Sequence, residues 1–225
     1  MCFAPEVSFG SSALLLAAGS YMMTSNKSEA MKKFTAIPFL FGIQQFSEGI
    51  LWLVLDRKLP ASLAPVSTLL FLFFANMIWP LWIPISMFDM ENSLTRRQWI
   101  GFLRGIGALV AGYAFLVATT GSPTAEIIKH SIVYKTPDKL ELMPTVLQPL
   151  LYLASAVAPF FISSQKAANV MGYFVLVGLC ITMLAKQYAV TSVWCFFASL
   201  SSFVIAYYFF KPQQKVWSQI LSPND

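Results

Sequence analysis

The stretch Phe34-Thr-Ala-Ile-Pro-Phe-Leu-Phe-Gly-Ile-Gln-Gln-Phe-Ser-Glu-Gly-Ile-Leu-Trp-Leu-Val-Leu55 decides how the rest of the chain is read. At about 1.5 Å per residue a helix of this length crosses a hydrocarbon core of about 30 Å. It nevertheless carries a carboxylate, Glu48, well inside the apolar run. A charge at that depth costs several kcal/mol unless it is paired, protonated or turned toward water. Gln44, Glu48 and Trp52 recur at i, i+4 and i+8, so they form one polar-aromatic stripe on a helix that is otherwise apolar. The remaining chain is expected to hide that stripe.

Composition sets the class. Apolar residues make up 57% of the 225 positions and charged residues 11%, with a mean hydropathy of +0.65. That profile belongs to an all-α integral membrane protein. The net charge of +5 comes from basic residues standing singly or in pairs at the ends of apolar runs. Headgroup anchoring explains this arrangement, and nucleic-acid binding is not indicated. Three cysteines without a CxxC spacing argue against a thioredoxin-like motif or a zinc ribbon. No basic residue precedes the first apolar run, so no cleavable signal peptide is expected.

Seven apolar runs, at 8–24, 34–55, 66–88, 98–119, 144–164, 168–186 and 190–210, predict a single domain, 1–225, built as a seven-transmembrane helix bundle. The connector 120–143 is long enough to form a structured cap on the outer side. Residues 212–222 place Val216, Trp217, Ile220 and Leu221 on one face of a short interfacial helix. With the amino terminus outside, the cytoplasmic segments hold nine of the 15 lysines and arginines and the outer segments hold six. Lys27, Lys32 and Lys33 after the first run dominate that bias, which predicts N-out, C-in and a multi-pass protein of the cell membrane.

Within the third run, Pro80 and Pro84 remove two helix hydrogen bonds and are expected to free carbonyls near Asn76 and Pro80. The result is either a cavity wall or a packing kink. The fourth run shows Gly101/Gly105 and Ala108/Gly112, pairs that permit close helix approach, within the chain or between copies. Arg104 lies about 9 Å inside one end of that helix and Glu48 about 10 Å inside the opposite end of its own. The two are too far apart to pair, and Arg104 is expected to snorkel.

In this topology Cys2, Glu48, His130 and Cys195 fall on the outer side. Two thiols, an imidazole and a carboxylate are a zinc-ligand set, with Glu48 as fourth ligand or as general base for a bound water. The bland alternatives are a Cys2–Cys195 disulfide, a solvated loop histidine, a packing cysteine at Cys180, and a neutral Glu48 bonded to Gln44 or Asn76. Gln44, Gln45, Trp52, Asn76, Trp79, Trp82, Tyr134 and Trp194 are the candidate pocket-lining residues.

Several blocks carry a resemblance: Met1-Cys2-Phe3 at the start, Ile37 to Trp52, Phe73 to Pro84, Lys129 to Tyr134, and Ser192-Val-Trp-Cys-Phe-Phe-Ala198. Together they make the chain similar to an uncharacterised family of small prokaryotic seven-helix membrane proteins that open Met-Cys-Phe-Ser, a domain of unknown function. Ala4 stands where that family has Ser, and Lys129 where it usually has Gly. The resemblance implies the fold, a prokaryotic inner-membrane location and the importance of these residues; it implies no reaction.

Known seven-helix activities are excluded by their residues. The last run has no lysine for a retinal Schiff base, one histidine cannot build a three-histidine zinc site, and no GxSx nucleophile block sits in a helix with a histidine nearby. The DRY and NPxxY blocks of eukaryotic receptors are absent as well. Three functions stay open: a zinc-dependent membrane-embedded enzyme that activates water, a small-molecule or proton-coupled transporter using Glu48, and a non-catalytic small-molecule-binding or sensor protein. The expected partners are the lipid bilayer, a small-molecule or lipid ligand, and a second copy through the Gly101/Gly105 face.

Overall fold

The computed structural model describes residues 4–26, 28–135 and 146–210. Its helices are α1 (Pro5–Ser25), α2 (Glu29–Leu55), α3 (Ala61–Met90), α4 (Leu94–Gly121), α5 (Leu147–Ile162), α6 (Lys166–Ala185) and α7 (Gln187–Phe210). Six are long and apolar enough to cross a membrane; α5 is the shorter one. The expected interfacial helix at 212–222, and Cys2, lie outside the described residues.

Five helices surround the core. Phe41 of α2, Trp79 and Ile83 of α3, Tyr152 and Phe160 of α5, Met171 and Val175 of α6, and Trp194 and Cys195 of α7 enclose a central space of about 30 Å³. That is room for about one water molecule. α1 packs outside this ring against α2. Small residues allow it: a Cβ on Gly19 would lie 2.5 Å from the Phe39 nitrogen, and one on Gly42 would lie 2.7 Å from Leu16. Ser12 Oγ donates to the Gly42 carbonyl at 2.8 Å.

α3 bends as its prolines require, one residue from the expected place. Phe74–Ile78 form a π-helical turn, and the Trp79 N–H reaches back to the Phe74 carbonyl. Pro80 has no N–H to offer, so the Ala75 carbonyl is passed over by its own helix. Tyr152 Oη donates to it at 2.6 Å. Pro84 similarly frees the Pro80 carbonyl, and Gly107 of α4 backs onto it so closely that a Cβ there would lie 1.9 Å away.

Gly107 corrects the expectation for α4. Its buried stripe is Ile100, Leu103, Gly107, Val110 and Ala111. Gly105, Ala108 and Gly112 are exposed, and a Cβ on Gly105 or Gly112 would meet nothing. The spacing correctly puts these residues on one face, but that face does not pack within the chain. Arg104 is exposed, as snorkelling requires, with its guanidinium 4.8 Å from the Phe88 ring centroid; Arg97 lies over the same ring at 4.4 Å. Cys180 is exposed and so is not the packing cysteine expected.

Between α4 and α5 the connector folds as an antiparallel hairpin of β1 (Thr124–Ile128) and β2 (Ser131–Lys135). Ile128 pairs with Ser131, leaving Lys129 and His130 as a two-residue turn. Both have positive φ, 45° and 59°, which is the requirement of a type I′ turn. Ile132 is fully buried against Leu51 and Trp52 at the end of α2, so the hairpin does cap the bundle.

At the opposite end, Glu91 joins two helix starts. It accepts from the Ser93 N–H at 2.9 Å before α4 and from the Ser164 N–H at 2.7 Å before α6. Ser164 Oγ adds a third bond at 3.1 Å. Lys33 and Asp89 pair nearby.

Candidate functional site

Glu48 sits on α2 two turns before its hairpin end, and only 2% of its surface is accessible. Gln44 and Gln45, one turn earlier, are fully buried, and Trp52, one turn later, is 4% exposed. The stripe is therefore hidden, as expected. What hides it is α7 and the hairpin. Ser192 Oγ of α7 donates to Glu48 Oε1 at 2.5 Å, and Tyr134 of β2 and Gln45 lie beside the same carboxyl group.

Most donors around this group are not engaged. Ser192 makes a complete hydrogen bond to Glu48, whereas Gln45 Nε2 and Tyr134 Oη lie next to its carboxyl group without completing one. Gln44 Nε2, Trp52 Nε1 and Ser131 Oγ are likewise buried without a hydrogen bond. Five such atoms among the described residues at one end of the bundle are unusual, because a buried donor left unmade costs about 1–3 kcal/mol. Gln44 Oε1, by contrast, accepts from Trp79 Nε1 at 2.8 Å, and Trp79 stacks on Phe41 at 3.8 Å. Burial pushes the Tyr134 hydroxyl well above its ordinary range, and the neighbouring Glu48 and Cys195 add to the effect. Tyr134 therefore stays a neutral donor.

Two clefts adjoin this cluster. The smaller, about 240 Å³, is lined by Tyr134, Asn76, Tyr113, Gln148 and Thr191 among others. The larger, about 530 Å³, runs between α3, α5, α6 and α7 and is lined by Asn76, Gln148, Leu153, Met183, Thr191, Trp194 and Cys195 among others. Tyr134 stacks flat on Phe71, ring centroids 4.6 Å apart. It thus forms a wall of the smaller cleft while its hydroxyl reaches the Glu48 cluster.

The family is shown by one match. The sequence profile of a family of unknown function, DUF6629, covers residues 1–219. The chain belongs to this family. No curated protein and no solved structure matches it. Membership in DUF6629 bears out the resemblance to an uncharacterised family and, like it, supplies no reaction.

The expected site residues divide into three groups. Glu48, Gln44, Gln45, Trp52, Trp79, Tyr134 and Cys195 gather around the hidden stripe, and Asn76 and Trp194 line the clefts beside it. Trp82 does not join them; its indole donates to the Lys33 carbonyl at 2.9 Å, toward the other end of the bundle. His130 stands exposed on the hairpin turn, about 13 Å along the strand from Tyr134. Among the described residues no three His, Cys, Asp or Glu side chains converge as a metal site. Cys195 is a free, buried thiol. Its proposed partner Cys2, in zinc or in a disulfide, lies outside the described residues.

Ser192, Ser131, Gln148 and Thr191 were missed. Ser192 had a signal: it stands three residues before Cys195, on the same face of a helix. For Ser131, only the hairpin register reveals its burial. Glu48 bonds neither Gln44 nor Asn76, the partners expected of a neutral acid; Ser192 takes that place.

Proposed function

We propose that this chain is a multi-pass protein of the cell membrane, amino terminus outside and carboxy terminus in the cytoplasm, whose outer half binds a small molecule at a site where Glu48 gives and takes a proton. Six helices of membrane-crossing length support the insertion, and the distribution of lysine and arginine supports the orientation. One observation carries the functional reading. Glu48 is buried with a single complete hydrogen bond, from Ser192, beside two unengaged donors, Gln45 Nε2 and Tyr134 Oη.

That arrangement has two settings. An ionised Glu48 draws Gln45 Nε2 and Tyr134 Oη in as charge-assisted donors. A protonated Glu48 needs neither and leaves Tyr134 available at the edge of the smaller cleft. Proton and ligand therefore act on the same tyrosine, and by linkage each changes the affinity of the other.

Infrared spectra of the reconstituted protein across pH test this reading. A carboxylic acid C=O band that titrates and is missing from Glu48→Gln supports it; a band that never titrates, or that survives the substitution, overturns it. A proton-coupled transporter would use the same chemistry, with uptake into liposomes that follows pH and is lost in Glu48→Gln. Zinc on Cys2, Cys195 and Glu48, activating water, is the rival chemistry; His130, expected as a further ligand, stands on the exposed turn too far from Glu48 to join them. Glu48 and Cys195 already flank Tyr134, and a zinc content of about one per chain that is lost in Cys195→Ser decides for it.

A further inference from the structure

The two clefts share three polar side chains, Asn76 of α3, Gln148 of α5 and Thr191 of α7. All three are half-buried, and none makes a side-chain hydrogen bond to another described residue. Each can both donate and accept. Among the described residues, no Asp, Glu, Lys, Arg or His side chain lines either cleft. A charged ligand group seated there would be buried without a counter-charge, at a cost of several kcal/mol.

Beyond that polar seam the larger cleft is apolar, walled by Leu153, Leu179, Met183 and Val190. Its aromatic walls present ring faces, because their polar edges are engaged elsewhere. Trp194 Nε1 donates to the Val175 carbonyl at 3.0 Å, and Tyr152 Oη donates to the Ala75 carbonyl. An apolar space of about 530 Å³ joined to an uncharged hydrogen-bonding seam matches an amphiphile with a neutral head.

We propose that the paired clefts take an uncharged amphiphile, an alkyl or isoprenoid chain ending in a hydroxyl or carbonyl, with its head at Asn76, Gln148 and Thr191 and its chain against Trp194. This rests on the reading of the clefts as a small-molecule site and names the ligand class. The head would lie beside Tyr134 in the smaller cleft, where the proton on Glu48 is felt.

Tryptophan quenching in nanodiscs tests it, with a dibrominated octadecanol as the uncharged probe and the matching dibrominated octadecanoate as the charged one. The octadecanol is expected to quench saturably, with the saturable part lost in Trp194→Phe. Its half-saturation should rise about tenfold in Thr191→Phe, which fills the seam, and octadecanoate should need about tenfold more than the alcohol. Gln148→Leu gives the same reading if Thr191→Phe does not fold, as judged by gel filtration and circular dichroism. Equal or tighter binding of the octadecanoate overturns the neutral-head assignment while leaving a small-molecule site in place. Unchanged binding in folded Thr191→Phe and Gln148→Leu overturns the seam as its seat. If neither probe shows a saturable component, the clefts are not the site, and the infrared titration of Glu48 then stands or falls separately.

Discussion

Glu91 and Glu48 are both almost inaccessible, yet the chain treats them in opposite ways. Glu91 is desolvated, but the N–H groups of Ser164 and Ser93, the Ser164 hydroxyl and nearby Arg96 outweigh that and hold it below its ordinary value of 4.5. A lowered folded value means stability that is fully present above the unfolded value and is lost as pH falls through the folded one. Thermal unfolding in detergent should therefore show stability falling from about pH 5 downward, and Glu91→Gln should flatten that limb. The same substitution should cost about 2 kcal/mol at neutral pH, since it sets an amide against two backbone donors. An acid limb unchanged by Glu91→Gln would show that other carboxylates set it. Glu48 has one completed hydrogen bond where Glu91 has three, so Ser192→Ala should cost about 2 kcal/mol while Ser192→Thr keeps the bond. Lys129 is a third informative residue. Its positive φ costs a non-glycine residue about 1 kcal/mol, and its ammonium over Tyr188, at 5.8 Å, returns about half of that. Lys129→Gly should therefore stabilise the chain by about 0.5 kcal/mol, visible as a higher melting temperature; a lower one would show that the turn depends on the lysine.

Helices show where sequence periodicity is informative and where it stops. Apolar runs mark all seven helical segments because hydrophobicity alone defines them, and Pro80 and Pro84 mark the bend because a missing N–H is a local fact. Which face of α4 meets its neighbour is not local. Gly105, Ala108 and Gly112 share a face by spacing, but the carbonyl freed by Pro84 selects Gly107 on the opposite side. Gly107→Ala should cost about 3 kcal/mol or more, because the added carbon collides with backbone. Gly105→Ala should gain about 0.5–1 kcal/mol, because its helix position is open. Comparable losses at both positions would contradict this packing. The hairpin escaped notice for a related reason. Its turn is Lys129-His130, without the Asn-Gly or Asp-Gly pair that announces a type I′ turn, and the alternation of Ile132 and Tyr134 is too short to identify a strand alone. Much of the candidate cluster was nevertheless legible: the α2 stripe, with Asn76, Trp79, Tyr134, Trp194 and Cys195. Ser131 of β2 and Thr191 and Ser192 at the start of α7 depend on tertiary register.

Among the described residues, the buried polar atoms left without a hydrogen bond lie toward one end of the molecule. Glu48, the five unengaged buried atoms, both clefts and the hairpin are at the α2 carboxyl-terminal end, whereas Glu91 and the Lys33–Asp89 pair close the other. Orientation therefore decides which compartment supplies the proton and the ligand. The orientation proposed from lysine and arginine has the hairpin outside, and a labelling experiment tests that directly. In a chain with Cys2 and Cys180 changed to serine, the buried Cys195 is shielded from a membrane-impermeant maleimide. His130→Cys, on the exposed turn, should then label in intact cells, and Asn92→Cys, in the loop before α4, only after permeabilisation. The reverse pattern would put the Glu48 site in contact with the cytoplasm and make the ligand an intracellular one. Labelling of both in intact cells would mean that the chain inserts in two orientations, in which case a majority of nine basic residues over six is too small to fix the topology by itself.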